Sequence, residues 1–271
     1  MAVPHLSDAL PDDPDQLVVT ITPSRAQAFA ACPYRFAHDK KRFDAANRPL
    51  QVGQWVHELT HDYNLARIEG REPVVDDIIA RKAPPALFMD AGGDEQWIID
   101  TGSASLCGYQ AFLDAQEFSI IVDAERYVRT PTRPVAGVAG CSIAFSGRVD
   151  VIAMRDDRSI ACIDVKTGMV PTPTQLAEAP GSFIYHHLTQ YIYDTDEVDI
   201  VQINPITGQW ASVRLTQAQL EAGKGFCRAM AAAIKEQSYL PRPGDVCAYC
   251  ALAERLCPAH HVHRTGWDTA F

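Results

Sequence analysis

Asp150, Asp164 and Lys166 stand in the run G-R-V-D-x13-D-V-K, from Gly147 to Lys166, and residues of these types at this spacing suit cation chemistry. Asp150 closes an apolar run over residues 142–149, and Asp164 and Lys166 close a second over residues 160–165. Arg155, Asp156, Asp157 and Arg158 form the turn between them. Pairing the two runs as a hairpin brings both carboxylates and the amine to one place. Side chains alternate along a strand, so Asp164 and Lys166 share a face while Val165 turns into the core. Hard divalent ions take oxygen ligands, and a magnesium site of one or two carboxylates completed by substrate phosphate suits phosphodiester hydrolysis. A solvated salt bridge is the ordinary alternative for Asp-x-Lys at a strand end.

Two other sets of residues could hold metal. Cys247-x2-Cys250-x6-Cys257 lies near the C-terminus, and Cys32, followed by Pro33, stands on the first long helix expected from the sequence. Four thiolates drawn from the two ends of the chain suit a 4Fe–4S cluster or tetrahedral zinc, and the spacing does not choose between them. Cys107, Cys141, Cys162 and Cys227 fall in apolar periodic segments and read as packing. His57-Glu58-Leu59-Thr60-His61 matches H-E-x-x-H, which in zinc proteases puts two imidazoles on one helical face beside a glutamate. No G-x-x-H follows His61, and a third ligand would have to be Glu69 or Glu72.

The bulk properties bound these readings. With 271 residues, 47% of them apolar, the chain can build a proper core. No stretch approaches the roughly 18 to 20 apolar residues of a membrane span. Asp8, Asp12, Asp13 and Asp15 among prolines read as a short disordered leader, residues 1–16, and not as an export signal, so a cytoplasmic setting is expected. Eight cysteines in that setting argue against a disulfide framework. A formal charge of −10 does not advertise a nucleic-acid binder. Locally the sign reverses: Arg25, Arg35, Lys40, Lys41, Arg42 and Arg48 form a basic stretch opposed only by Asp39 and Asp44, either a solvated face or a phosphate contact.

The elements that must position these residues follow from periodicity. A strand is expected over residues 17–21, then a helix opened by Thr22-Pro23 and carrying Ala28, Phe29, Cys32 and Phe36 on one face. A second helix, residues 52–68, sets Val56, Leu59, Tyr63 and Ala66 at helical spacing. Further helices are read over residues 75–80 and 95–116, although Gly102 and Gly108 weaken the latter. A strand over residues 118–128 precedes the two motif strands. A helix over residues 183–193, strands over 198–204 and 209–215, and an amphipathic helix over 216–237 complete the order. The expectation is a single domain over residues 17–271: a helical part 22–117, a core 118–215, and a C-terminal helix with the cysteine cluster, 216–271.

With Gly168 following Lys166, the motif resembles the PD-(D/E)XK nucleases, in particular the RecB-like branch. Together with Cys32-Pro33 and the three later cysteines it resembles the iron–sulfur nucleases related to AddB and the CRISPR-associated Cas-four family, from about Thr22 to His260. The x6 gap before Cys257 is slightly longer than that family usually has. The resemblance implies an α/β, restriction-endonuclease-like core, a mixed central sheet flanked by helices, with N- and C-terminal helical segments joined by the four cysteines. Gly53 to His57, G-x-x-V-H, is similar to the RecB-family helix motif, whose His reaches the metal or the attacking water. Magnesium or manganese would then be held by His57, Asp150, Asp164 and the carbonyl of Val165, with Lys166 orienting the water. Glu125 stands where relatives often carry Glu, as an additional contact. The family also has a Q-x-x-x-Y helix after the Lys strand; here either Gln190 is the Gln, or His187 and Tyr191 fill the two places. His260, His261 and His263 read as a solvated tail.

The activity this implies is hydrolysis of DNA by a stand-alone exonuclease, on single strands or ends. No G-x4-G-K-[ST] occurs, so unwinding would fall to another protein; a helicase, a recombinase or a CRISPR integrase are the partners to consider. CRISPR pre-spacer trimming, a non-cleaving iron–sulfur DNA-binding module and a zinc protease are the alternatives.

Overall fold

The computed structural model describes residues 16–38, 48–82, 95–253 and 257–259. Among the described residues, seven strands form one mixed sheet: β1 (Leu17–Ile21), β2 (Phe118–Arg129), β3 (Arg133–Pro134), β4 (Cys141–Arg155), β5 (Ile160–Val165), β6 (Val198–Asn204) and β7 (Gln209–Arg214). The path runs β1-β4-β5-β6-β7, with β2 and β3 also on β4. β4 and β5 are antiparallel, as a hairpin requires, whereas β1 joins β4 and β6 joins β5 in parallel.

β4 organises the sheet because it is long enough to pair with four strands. Its residues 141–145 pair with β1, and residues 151–154 pair with β5. Between those two ladders lie residues 146–150. Asp150 therefore sits inside the strand, at a fork where the sheet changes partner, and not at the strand end expected from the apolar run.

Helices cover both faces. On one, α1 (Pro23–Ala31), α7 (Pro180–Tyr193) and α8 (Gln217–Lys235) pack on the sheet through Ala26, Phe29, Ile184, Leu188 and Met230. On the other, α3 (Arg48–Ile68), α4 (Val75–Lys82) and α5 (Glu95–Ala115) pack through Trp55, Val56, Leu59, Ile79, Leu106 and Phe112. β5 and β6 are buried on both faces, which explains their near-continuous apolar sequences. The Val56, Leu59, Tyr63 and Ala66 stripe is buried as its spacing predicts. Gly108 marks a close approach: a Cβ there would meet the Pro205 carbonyl oxygen at 2.2 Å. What weakens an isolated helix lets α5 pack tightly against the β6–β7 turn.

Several expectations need correction. The first helix breaks at Cys32, whose extended backbone (φ −165°) ends α1; Pro33 begins a separate α2 (Pro33–His38). The residue before a proline is pushed out of helical geometry, and that local constraint overrides the periodic pattern. Ala28 is exposed and Ala26 is the buried residue. Cys107 is exposed and does not pack, whereas Cys141, Cys162 and Cys227 are buried. Short α6 (Pro173–Glu178), with a Thr172–Gln175 capping box, had no periodic signal to announce it. Residues 1–15 of the expected leader, Lys40, Lys41, Arg42 and the histidines at 260, 261 and 263 lie outside the described residues.

Ile163 is fully buried in the second core, one residue before Asp164. Ile163→Ala is expected to cost about 2–5 kcal/mol, seen as a lower urea midpoint with an unchanged slope. A loss below about 1 kcal/mol would show that the central strand is not packed as described.

Candidate active site

The site is built at the fork. The β4–β5 ladder stops at Val151 and Ile163, so the amide of Val165 has lost its backbone acceptor on β4. Asp150 Oδ2 takes that role, accepting from the Val165 N–H at 2.8 Å. On the other edge, the Lys166 N–H still donates to the Ile203 carbonyl at 2.8 Å, so β6 holds the end of β5 in place. Asp164, 7% exposed, accepts at Oδ1 from Lys166 Nζ (2.7 Å) and from the Tyr185 hydroxyl (2.8 Å). Lys166 Nζ also lies 3.3 Å from the Val165 carbonyl oxygen.

α3 brings His57 over these strands. His57 Nδ1 lies 3.6 Å from Asp150 Oδ2 and 3.7 Å from Glu125 Oε1. The helix can approach because Gly53 has no side chain; a Cβ there would meet Thr167 Oγ1 at 3.2 Å, just beyond Lys166. Glu125 arrives from β2, between the pairs Ala124↔Val151 and Arg126↔Val149 and thus opposite Asp150. Its φ is +54°, in the left-handed region that costs a non-glycine residue about 1–3 kcal/mol. Such strain inside a strand persists where it aims a side chain, and here the carboxylate faces His57. Among the described residues, His57, Glu125 and Asp150 are the group whose donor atoms all lie within 4.8 Å of one another.

Charge is crowded here. Burial first, then the Asp164 charge, raises the Asp150 carboxyl to about 7, against the lowering effect of His57, Lys166 and the Val165 amide. Burial lowers His57, but the neighbouring Glu125 and Asp150 carboxylates outweigh this and leave it above its ordinary value. Burial likewise opposes the charge on Lys166, and the two aspartates overcome it, so its pKa is raised. Tyr185 is raised well above the ordinary phenol range by burial and the nearby carboxylates, and it stays a neutral donor to Asp164. A carboxyl raised to about 7 beside an imidazole and a second carboxylate offers, once ionised, the donor set of a divalent-cation site. The residues present fit such an ion.

Of the residues singled out from sequence, the structure brings Asp150, Asp164, Lys166, His57, Glu125 and Val165 together. Tyr185, on the helix where the resemblance pointed to Gln190, His187 or Tyr191 and not itself named from the sequence, donates its hydroxyl to Asp164. Gln190 instead bonds Asp196, Tyr191 is 40% exposed, and the His187 ring packs on Phe145 and Phe183. Periodicity marks the buried stripe Ile184 and Leu188 of α7 and leaves Tyr185 at its border, so the apolar pattern gives it no signal of its own. Within H-E-x-x-H, His57 groups with Glu125 and Asp150, whereas His61 Nδ1 lies 3.6 Å from Asp62 and Glu58 is exposed. Glu69 bonds Arg71 and Glu72 is exposed. Arg25 is engaged locally, donating to the Thr20 carbonyl and lying over the Phe36 ring.

At the far end of the chain, Cys32, Cys247, Cys250 and Cys257 line one cavity of about 600 Å³, walled by Val246, Leu252 and Ala253. Arg35 stands on its wall beside Cys32. The Cys32 sulfur accepts from the backbone N–H groups of Arg35 (3.5 Å) and Arg242 (3.4 Å). The Arg242 guanidinium also donates to the Ala30 carbonyl, so the C-terminal arm is docked on the break between α1 and α2. All four cysteines are free thiols.

An acidic cradle at a forked mixed sheet, with an amine two residues beyond one carboxylate, is the arrangement of a metal-dependent nuclease. The sequence matches the PD-(D/E)XK nuclease superfamily over residues 20–258, and the chain belongs to that superfamily, whose members use divalent metals. No curated protein sequence matches it. Among solved structures, the crystal structure of SSO0001 is similar over 89% of this chain and 86% of that one, with 16% identity and a TM-score of 0.39. No described helix is long and apolar enough to cross a membrane.

Linkage gives the site a sign. Asp150 binds a proton more tightly folded, near 7, than at its ordinary 3.8, so metal-free protein loses stability as pH rises between those values. His57, raised, contributes stability at low pH that is lost in the same direction. Asp150→Asn keeps an acceptor for the Val165 amide and removes the carboxylate. The variant's Tm in chelator should exceed wild type above pH 7, with the gap closing toward pH 4, and calorimetry should show wild-type Mn2+ affinity rising through pH 7. A pH-independent gap would contradict the assigned proton.

Proposed function

We propose that this protein is a metal-dependent deoxyribonuclease acting as an exonuclease on single-stranded DNA or DNA ends. The observation that carries the reading is the convergence of His57, Glu125 and Asp150 beside the Asp164–Lys166 pair. His57, Glu125, Asp150, Asp164 and the Val165 carbonyl are the groups that would hold magnesium or manganese. A bound divalent ion supplies Lewis acidity toward a phosphodiester oxygen and neutralises charge on the phosphate. Lys166, 45% exposed at its side chain, is free at its solvent side to donate to the attacking water and to the charge developing at phosphorus. Tyr185 and Lys166 together fix the Asp164 carboxylate, so its orientation does not have to be found during the reaction.

The four cysteines are assigned to a 4Fe–4S cluster that staples the two ends of the domain. The apolar walls of their cavity and the N–H donors to the Cys32 sulfur support a cluster there. Its role is structural, closing a loop that runs from residue 32 to residue 257.

Asp164→Ala and Lys166→Ala are each expected to lower Mn2+-dependent cleavage of an end-labelled single-stranded oligonucleotide at least 100-fold, with iron content unchanged. Full activity in either variant overturns the assignment. Anaerobically purified protein should be brown and carry about four iron and four sulfide per chain. Cys250→Ser should lose both and lower Tm, whereas stoichiometric zinc without iron in the wild type would replace the cluster with a zinc site.

A further inference from the structure

Beyond the metal group, the β2–β4 ribbon continues as an exposed surface. Tyr127 pairs directly with Arg148, and Val128 with Gly147. Val128 and Val149, the chain neighbours of Tyr127 and Arg148, point into the first core. Alternation therefore projects Tyr127 and Arg148 from the opposite face, the one α3 covers further along. The contact of Arg148 with Glu125, 3.5 Å between Nη1 and Oε2, confirms that this face is the one that carries the metal group. α3 does not cover this end: Tyr127 is 64% exposed and the Arg148 side chain 66%. Arg129, two residues on and also exposed, stands on the same face.

We propose that Tyr127 is a base-stacking platform, flanked by Arg148 and Arg129, for the single-stranded DNA segment next to the scissile phosphate. This deepens the nuclease reading and rests on it. An aromatic ring left in water beside guanidinium groups has the composition of a single-strand site, where stacking holds the base and Arg holds the backbone. The spacing fits: two residues of strand separate Tyr127 from Glu125, about 6.8 Å. That is the rise of about two stacked nucleotides, so a strand whose phosphate lies at the metal group has its next bases over the ring. The charge fits as well, since Arg129 and Arg148 give a local positive edge to a chain of formal charge −10. Stacking is indifferent to base identity, so the platform selects unpaired over paired DNA, not one sequence over another.

The test compares Tyr127→Ala and Tyr127→Trp with wild type, in Ca2+ to hold cleavage, using a fluorescein-labelled oligothymidylate and an abasic oligomer of equal length. Wild type and Tyr127→Trp should bind the oligothymidylate about tenfold more tightly than the abasic strand. Tyr127→Ala should bind both alike, at the abasic value. An alanine variant that keeps the wild-type ratio, or a wild type with no preference or no binding, overturns the platform. Hydrolysis of bis(p-nitrophenyl) phosphate with Mn2+, which has no base to stack, should be the same in wild type and Tyr127→Ala. Its absence in wild type strikes the nuclease reading, and its loss in the alanine variant alone shows that Tyr127 supports the metal group and not a base.

Discussion

One hydrogen bond organises the site: the amide of Val165 donating to the carboxylate of Asp150. It exists because β4 and β5 part just beyond Val151 and Ile163, leaving a buried N–H that must find an acceptor. The carboxylate that supplies it is thereby pinned beside Asp164 in a poorly solvated place, which ordinary folding energetics would avoid. β6 prevents β5 from simply closing the gap, since Lys166 is tied by its own amide to Ile203. The fork, the acidic pair and the orientation of the lysine are one constraint seen from three sides.

That constraint leaves the metal-free site electrostatically unfinished. Asp150 is raised to about 7 by burial and by Asp164, while neighbouring carboxylates raise His57 and Lys166 against the effect of burial. Glu125 adds backbone strain to place one more donor there. A fold that concentrates acid in this way gains most from a divalent cation, and the same features make the site costly to maintain without one. Tyr185 lessens the cost at Asp164 with a neutral donor that adds no charge.

Much of this was legible in the sequence, and the failures have physical reasons. Asp150, Asp164 and Lys166 could be placed together because alternation and a four-residue turn leave few other pairings. His57 was legible through the resemblance of G-x-x-V-H to the RecB-family helix motif, although the reason for the glycine, contact with Thr167, needed three dimensions. Periodicity could not show that Asp150 lies mid-strand, because partner exchange along β4 leaves no mark on the apolar pattern. Nor could it show Tyr185: α7 buries one stripe in the core and turns its border residue to the aspartate, and a search for Gln before Tyr passes over it. Cys32 was read as a helix-face residue, and Pro33 makes it the helix end, which is what frees its sulfur to face the C-terminal arm.

The cysteine cavity ties residue 242 to residue 30, so the C-terminal arm closes over the helix that packs on β1 and α7. The central claim concerns the fork. Crystals soaked in Mn2+ and measured at the manganese absorption edge test it most directly. The account predicts an anomalous peak about 2.1 Å from carboxylate oxygens of both Asp150 and Asp164. A peak bound by neither, or by only one with the other turned away, would contradict it.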